Sequence, residues 1–151
     1  MGSQWWDGYV AAALVLSRSI TEIIACDPGV AYRYAADPSN LPKWASGLAG
    51  GLQRDGADLL LDSPMGRVRV RFAAPNPYGI LDHDVILPGG TVIENPFRIV
   101  PHLGGCEAVF IVRQLDLTEQ QFDADCAAVA RDLAALKRLL ENDQPAAPAP
   151  G

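Results

Sequence analysis

The sharpest periodicity in the chain lies towards its C-terminal end. In TEQQFDADCAAVARDLAALKRLLEN, Phe122, Cys126, Val129, Leu133, Leu136 and Leu140 recur at steps of four and three, which draws one apolar stripe along a helix. Thr118 and Gln121 fit a capping box at its start. About 24 residues at 1.5 Å each span roughly 36 Å. A helix that long with a single apolar stripe must lie along something, and a sheet is the partner the rest of the chain supplies. ADLLLD and RVRVRF alternate with a period of two around the turn SPMG. With Ser63 to Gly66 as a four-residue loop, Asp62 faces Arg67 and Asp58 faces Arg71. Leu61 then meets Val68 and Leu59 meets Val70, so one face is apolar and the other charged. Arg67, Arg69 and Arg71 become an outer stripe whose ion pairs stabilise by about 0–1 kcal/mol each.

The other elements follow from local signals. RSITEIIAC is rich in β-branched residues and reads as strand one. Asp27 is a helix N-cap with Pro28 at the first helical position. Asp37-Pro38 ends that helix, and a second short one starts at Ser39 or Asn40 and ends near Trp44. CEAVFIVRQ is a late strand. The layout is strand, two short helices, a meander of five or six strands and a long C-terminal helix. That is an α+β architecture with an antiparallel sheet curled around one helix.

NPYGILDHDVILPGG places Asp82, His83 and Asp84 in the middle of a strand that pairs with TVIENPFRIV. Two loop lengths are open. A two-residue Gly89-Gly90 loop sets Asp84 against Asn95 and Asp82 against Phe97, mixing charge and aromatic on one face. A three-residue Pro88-Gly89-Gly90 loop sets Leu87 against Thr91, Val85 against Ile93, His83 against Asn95 and Leu81 against Phe97. The second separates apolar from charged residues far better and is preferred, because register follows that separation. His83 and Asn95 then form a cross-strand polar pair on the apolar face, while Asp82, Asp84 and Glu94 face outward near Arg98. A metal site of Asp82, His83 and Asp84 is disfavoured, since adjacent strand residues point to opposite faces. His83 is either a core histidine satisfied by Asn95 or an acid–base group facing a cavity.

Composition narrows the function classes. The 151 residues form one domain, with a net charge of −6 that disfavours nucleic acid and anionic membranes as partners. Cys26, Cys106 and Cys126 are scattered and odd in number; they read as reduced core thiols of a cytoplasmic protein. The apolar stretch from Tyr9 to Leu16 is far short of the ~20 residues that span a bilayer, and no basic residue precedes it. Residues 1–18 are left as an unassigned N-terminal extension, 19–142 are the folded domain, and the Pro/Ala-rich 143–151 are expected to be disordered. No Ser/His/Asp motif, phosphate loop or zinc signature is present, and no cofactor is called for.

This order of elements resembles the helix-grip fold of the START-like superfamily, also called SRPBCC. The likeness rests on ITEIIACDPGVAYRYAADPSNLPKWASGLA, with Asp27, Pro28, Tyr32, Tyr34, Asp37, Asn40, Pro42 and Trp44, and on RDLAALKRLLE at the end. The middle resembles bacterial members labelled polyketide cyclase or dehydratase. The resemblance implies a deep apolar cavity between curved sheet and long helix, without implying one catalytic apparatus. Tyr34, Trp44, Tyr78, Leu81, Val85, Phe97 and Phe110 are the candidate ligand contacts, and His83 and Asn95 the candidate catalytic pair. Three functions stay open: a cyclase or dehydratase acting on a hydrophobic carbonyl compound, a non-catalytic carrier or sensor of a lipid, polyketide or isoprenoid, and an interaction module or homodimer using the sheet's outer face or Trp5-Trp6.

Overall fold

The structure, a computed structural model of the protein, describes residues 14–48, 51–63 and 66–142. Trp5-Trp6 and the Pro/Ala-rich tail lie outside the described residues. Strand β1 (Ser17–Ile24) opens the fold, one residue earlier than its sequence pattern suggests. Helix α1 (Pro28–Ala36) follows, and the Asp27 carboxylate caps it by accepting the Gly29 and Val30 N–H groups at 2.9 and 3.2 Å. Asp37 ends α1 and turns the chain, its carboxylate accepting the Ser39 N–H at 2.9 Å. Helix α2 (Leu41–Trp44) and a 3₁₀ turn (Ser46–Leu48) come next.

Seven strands then lead to helix α3 (Glu119–Asn142), against an expectation of five or six. They are β2 (Leu52–Asp55), β3 (Asp58–Ser63), β4 (Gly66–Phe72), β5 (His83–Ile86), β6 (Val92–Asn95), β7 (Phe97–His102) and β8 (Gly105–Arg113). The short β2 carries no apolar alternation and was not anticipated. The other surplus strand arises because TVIENPFRIV divides at Pro96, whose nitrogen has no hydrogen to give the ladder.

Strands β2-β3-β4-β5-β6 and β1-β8-β7 form two antiparallel groups. The β3–β4 register is the expected one, with Asp62 against Arg67, Leu61 against Val68 and Leu59 against Val70. Asp58 is buried on that hairpin and accepts from Arg71 Nε and Nη2 at 3.1 and 3.0 Å and from Arg69 Nη1 at 2.9 Å. Those guanidiniums hold its carboxyl down at about 2.

The two groups are joined by one stretch of chain. Ile80 bridges Arg98, Leu81 N–H donates to the Phe97 carbonyl at 2.8 Å, and Ile99 N–H donates to the Gly79 carbonyl at 2.9 Å. Pairing therefore passes from β5 onto β7 without a change of register. Gly79 sits at φ +73°, and a Cβ there would lie 2.1 Å from the Ile99 carbonyl oxygen. Only glycine fits that approach.

Helix α3 closes the concave side. Phe122, Cys126, Leu133, Leu136 and Leu140 are buried, and Val129 is partly so. Thr118 and Gln121 form the expected reciprocal cap at 3.0 and 3.2 Å. At the far end, Glu141 accepts the Ala25 N–H at 2.9 Å and Lys137 Nζ donates to the Ile23 carbonyl, which fastens the helix to the edge of β1. No helix among the described residues is long and apolar enough to cross a membrane.

Two glycines separate backbone constraint from mere turn chemistry. Gly79→Ala should cost about 2 kcal/mol or more, from the left-handed φ and the clash with Ile99. Gly89→Ala, with nothing within 4 Å of its added Cβ, should stay within about 0.5 kcal/mol. Urea midpoints of both variants check this contrast.

Candidate active site

A cavity of about 320 Å³ lies between the sheet and α3. Its floor is strand side chains on the inward parity: Val70 and Phe72 from β4, His83 and Val85 from β5, Asn95 from β6, Phe97 from β7 and Phe110 from β8. Its roof is Leu41 and Trp44 of α2 with Val129, Asp132 and Leu133 of α3. That convergence depends on the preferred three-residue loop. His83 does stand opposite Asn95, and Val85 opposite Ile93. Leu87 N–H donates to the Thr91 carbonyl at 2.9 Å, and Gly90 takes the left-handed φ of +91°.

The wall is largely aromatic. Phe72 and His83 lie 4.8 Å apart between ring centroids at 33°, and His83 meets Phe110 edge-on at 5.7 Å and 65°. Phe110 packs on Phe97 at 5.4 Å, and Phe97 on Trp44 at 5.9 Å. Five rings thus run in sequence around the chamber. The Trp44 indole N–H is enclosed with no hydrogen-bond partner among the described residues.

The polar contacts of His83 differ from expectation. Its Nδ1 lies 3.0 Å from the Leu81 carbonyl oxygen, on its own strand, so Asn95 is its cross-strand neighbour rather than the partner of that nitrogen. A carbonyl can only accept, so Nδ1 carries the proton in the neutral ring. Nε2 is then left with a free lone pair. Burial among the aromatic rings pushes the His83 pKa below its ordinary 6.5, outweighing the Leu81 carbonyl and the nearby charges of Asp82 and Asp84. The ring is neutral at pH 7, the form in which Nε2 can accept a proton.

The acids of the same strand point the other way. Asp82 accepts the Phe97 N–H at 2.9 Å and pairs with Arg98 at 2.9 and 2.8 Å, which keeps its carboxyl below the usual range. Asp84 stands between Arg71 and Glu94 in the ladder. These residues line an outer groove of about 420 Å³ that shares Phe72, His83 and Asn95 with the cavity. The groove is the more open of the two and Arg98 already neutralises Asp82, so the more sheltered, more apolar chamber is the better candidate site.

Of the sequence-predicted contacts, Trp44, Val85, Phe97 and Phe110 line the cavity with His83 and Asn95. Leu81 does not. It has the right parity, but it lies where the pairing has passed onto β7, and it is core, 3% exposed. Tyr34 packs against the core without reaching the chamber. Tyr78 is 73% exposed and borders a separate groove with Tyr32 and Pro28. The Asn76 side chain turns that loop outward by accepting the Tyr78 and Ile80 N–H groups at 3.0 and 3.1 Å. Eight wall residues were not predicted as contacts, and two of them, Phe72 and Asp132, bear on the chemistry. Phe72 was legible as the end of RVRVRF. Asp132 was legible as an acid beside Leu133 and three residues after Val129, on the flank of the apolar stripe.

Comparison with known proteins adds a fold-level result. No family model matches the chain, and no curated protein does. Solved structures match over nearly all of the described domain. The Aha1 dimer from Colwellia psychrerythraea superposes with a TM-score of 0.68 at 15% identity, over 86% of this chain and 99% of that one. The chain has the helix-grip fold. CalU16 from Micromonospora echinospora gives 0.62 at 14% identity, over 86% and 77% of the two chains. DynU16, from the dynemicin biosynthetic locus, gives 0.65 at 14% identity; 85% of this chain is covered and 48% of DynU16. Identities this low carry the helix-grip architecture and nothing about chemistry.

The protonation of His83 is directly observable. Nitrogen-15 NMR of labelled histidine should show Nδ1 protonated and Nε2 bare at pH 7, with a titration midpoint below 6.5. Because the folded pKa is depressed, His83 opposes the fold as pH falls through 6.5 and below, and His83→Phe should lose less stability over that window.

Proposed function

We propose that the protein binds a planar hydrophobic small molecule in the cavity between sheet and α3, and that His83 acts on it by acid–base chemistry of the polyketide cyclase or dehydratase type. One observation carries this reading: a neutral imidazole with a free Nε2 is set into an aromatic wall. The rings of Phe72, Phe97 and Phe110 favour a flat ligand by offset and edge-on contacts. DynU16, a structural neighbour, comes from the locus of dynemicin biosynthesis, which is consistent with such a substrate.

The chemistry is simple to write. Nε2 takes a proton from the carbon beside a ketone, and the Asn95 amide donates to the enolate oxygen that forms. Residues directly opposite on antiparallel strands hold their Cβ atoms about 4.5–5.5 Å apart, a spacing that suits two neighbouring ligand atoms. The enolate carbon attacks a second carbonyl of the same molecule, making a carbon–carbon bond. The new alkoxide recovers the proton from His83.

A carrier or sensor is the second reading, favoured by the aromatic wall itself, which suffices for binding without any proton transfer. Both readings place the protein in the cytoplasm, and a homodimer on the analogy of the Aha1 protein belongs to the same proposal.

His83→Gln separates the two readings. With a cyclising substrate, the variant should retain ligand affinity within about threefold while turnover falls about 100-fold or more. Unchanged turnover removes His83 from the mechanism, and a bound but chemically unaltered ligand, seen by native mass spectrometry, favours the carrier.

A further inference from the structure

Among the described residues, Asp132 is the only charged side chain on the wall of the cavity. It projects from α3 beside Val129 and Leu133, facing the floor that carries His83. One of its oxygens is committed: Oδ1 accepts both the Ser46 N–H, at 3.2 Å, and the Ser46 hydroxyl, at 2.8 Å. The other, Oδ2, makes no hydrogen bond among the described residues. Among the described residues, no lysine or arginine lines the chamber to balance the charge.

The cavity therefore offers two groups that only accept, Oδ2 of Asp132 and Nε2 of His83, beside the Asn95 amide, which both donates and accepts. A ligand that satisfies the first two must bring hydrogen-bond donors. A ligand that brings a carboxylate meets a like charge on a wall where no cation among the described residues offsets it. We infer that Asp132 is a specificity-determining residue and that the cavity selects an uncharged, hydroxyl-bearing aromatic ligand over an acidic one. This rests on the reading of the cavity as the binding site, and it narrows the ligand from hydrophobic molecules in general to neutral phenol-like or enol-like ones. Fatty acids and aromatic carboxylic acids are disfavoured as cognate ligands. The Ser46 bonds also fix the carboxylate in place, so the selection is built into the wall before any ligand arrives.

The test uses three probes of one shape at pH 7: 2-naphthol, which carries a donor; 2-methoxynaphthalene, which carries none; and 2-naphthoate, which is an anion. Calorimetric titration of the full chain should give 2-naphthol about tenfold tighter than 2-methoxynaphthalene, with 2-naphthoate weakest. Asp132→Asn keeps an acceptor for Ser46 and should improve 2-naphthoate binding about tenfold. Asp132→Leu should remove the preference for the hydroxyl. Ser46→Ala, which loosens the carboxylate without discharging it, should keep the order of the three probes. If 2-naphthoate binds the wild type as tightly as 2-naphthol, or if Asp132→Asn leaves their ratio unchanged, the assignment of Asp132 is overturned while the cavity reading stands. If 2-methoxynaphthalene fails to bind along with the other two, both fall together.

Discussion

The site depends on the parity of one strand pairing. Side chains alternate across a strand, so a slip of one residue between β5 and β6 would turn His83 to solvent and bring Asp82 and Asp84 inward. Three interactions hold the register against that slip. The three-residue turn at Pro88-Gly89-Gly90 starts it. Opposite Pro96, where the ladder loses a donor, the Asp82 carboxylate accepts the Phe97 N–H and Arg98 clamps that carboxylate from outside. Beyond the break, Gly79 to Leu81 pair with β7 in the same register. The acid that first looks like a metal ligand is thus a structural bridge across a proline.

With parity settled, the physical character of the cavity follows. Residues facing inward from five strands are apolar or aromatic except His83 and Asn95. The helix that covers them is apolar along its stripe except at Asp132. Burial keeps His83 neutral, the Leu81 carbonyl keeps its proton on Nδ1, and the Ser46 clasp keeps the one carboxylate in position. His83 and Asp132 each have one side engaged by the protein and the other left free among the described residues. Trp44 differs, with its N–H enclosed against the rings.

Much of this was legible in the chain because it rests on local periodicity. The α3 stripe and its cap, the N-cap of α1, the β3–β4 register and the choice between the two β5–β6 loops all follow from hydrophobic alternation and turn chemistry. What failed depended on the path of the chain in space. Leu81 shares the parity of His83 but sits beside β7 in the buried core, and Tyr78 is carried outward by the Asn76 turn. Leu52–Asp55 forms a strand with no alternation to announce it. The Leu81 carbonyl as the partner of His83 could not be read at all, because it is a backbone contact two residues back that side-chain alternation says nothing about.

The central claim is that a flat ligand sits against His83 on the inner side of the sheet. Intermolecular NOEs from a bound naphthyl probe test it most directly. The account predicts cross-peaks to the rings of Phe72 and Phe110 and to the methyl groups of Val129, which enclose the chamber from both layers. Cross-peaks confined to Ala73 and Glu94 in the outer groove, or to Tyr32 and Tyr78 beside α1, would contradict it.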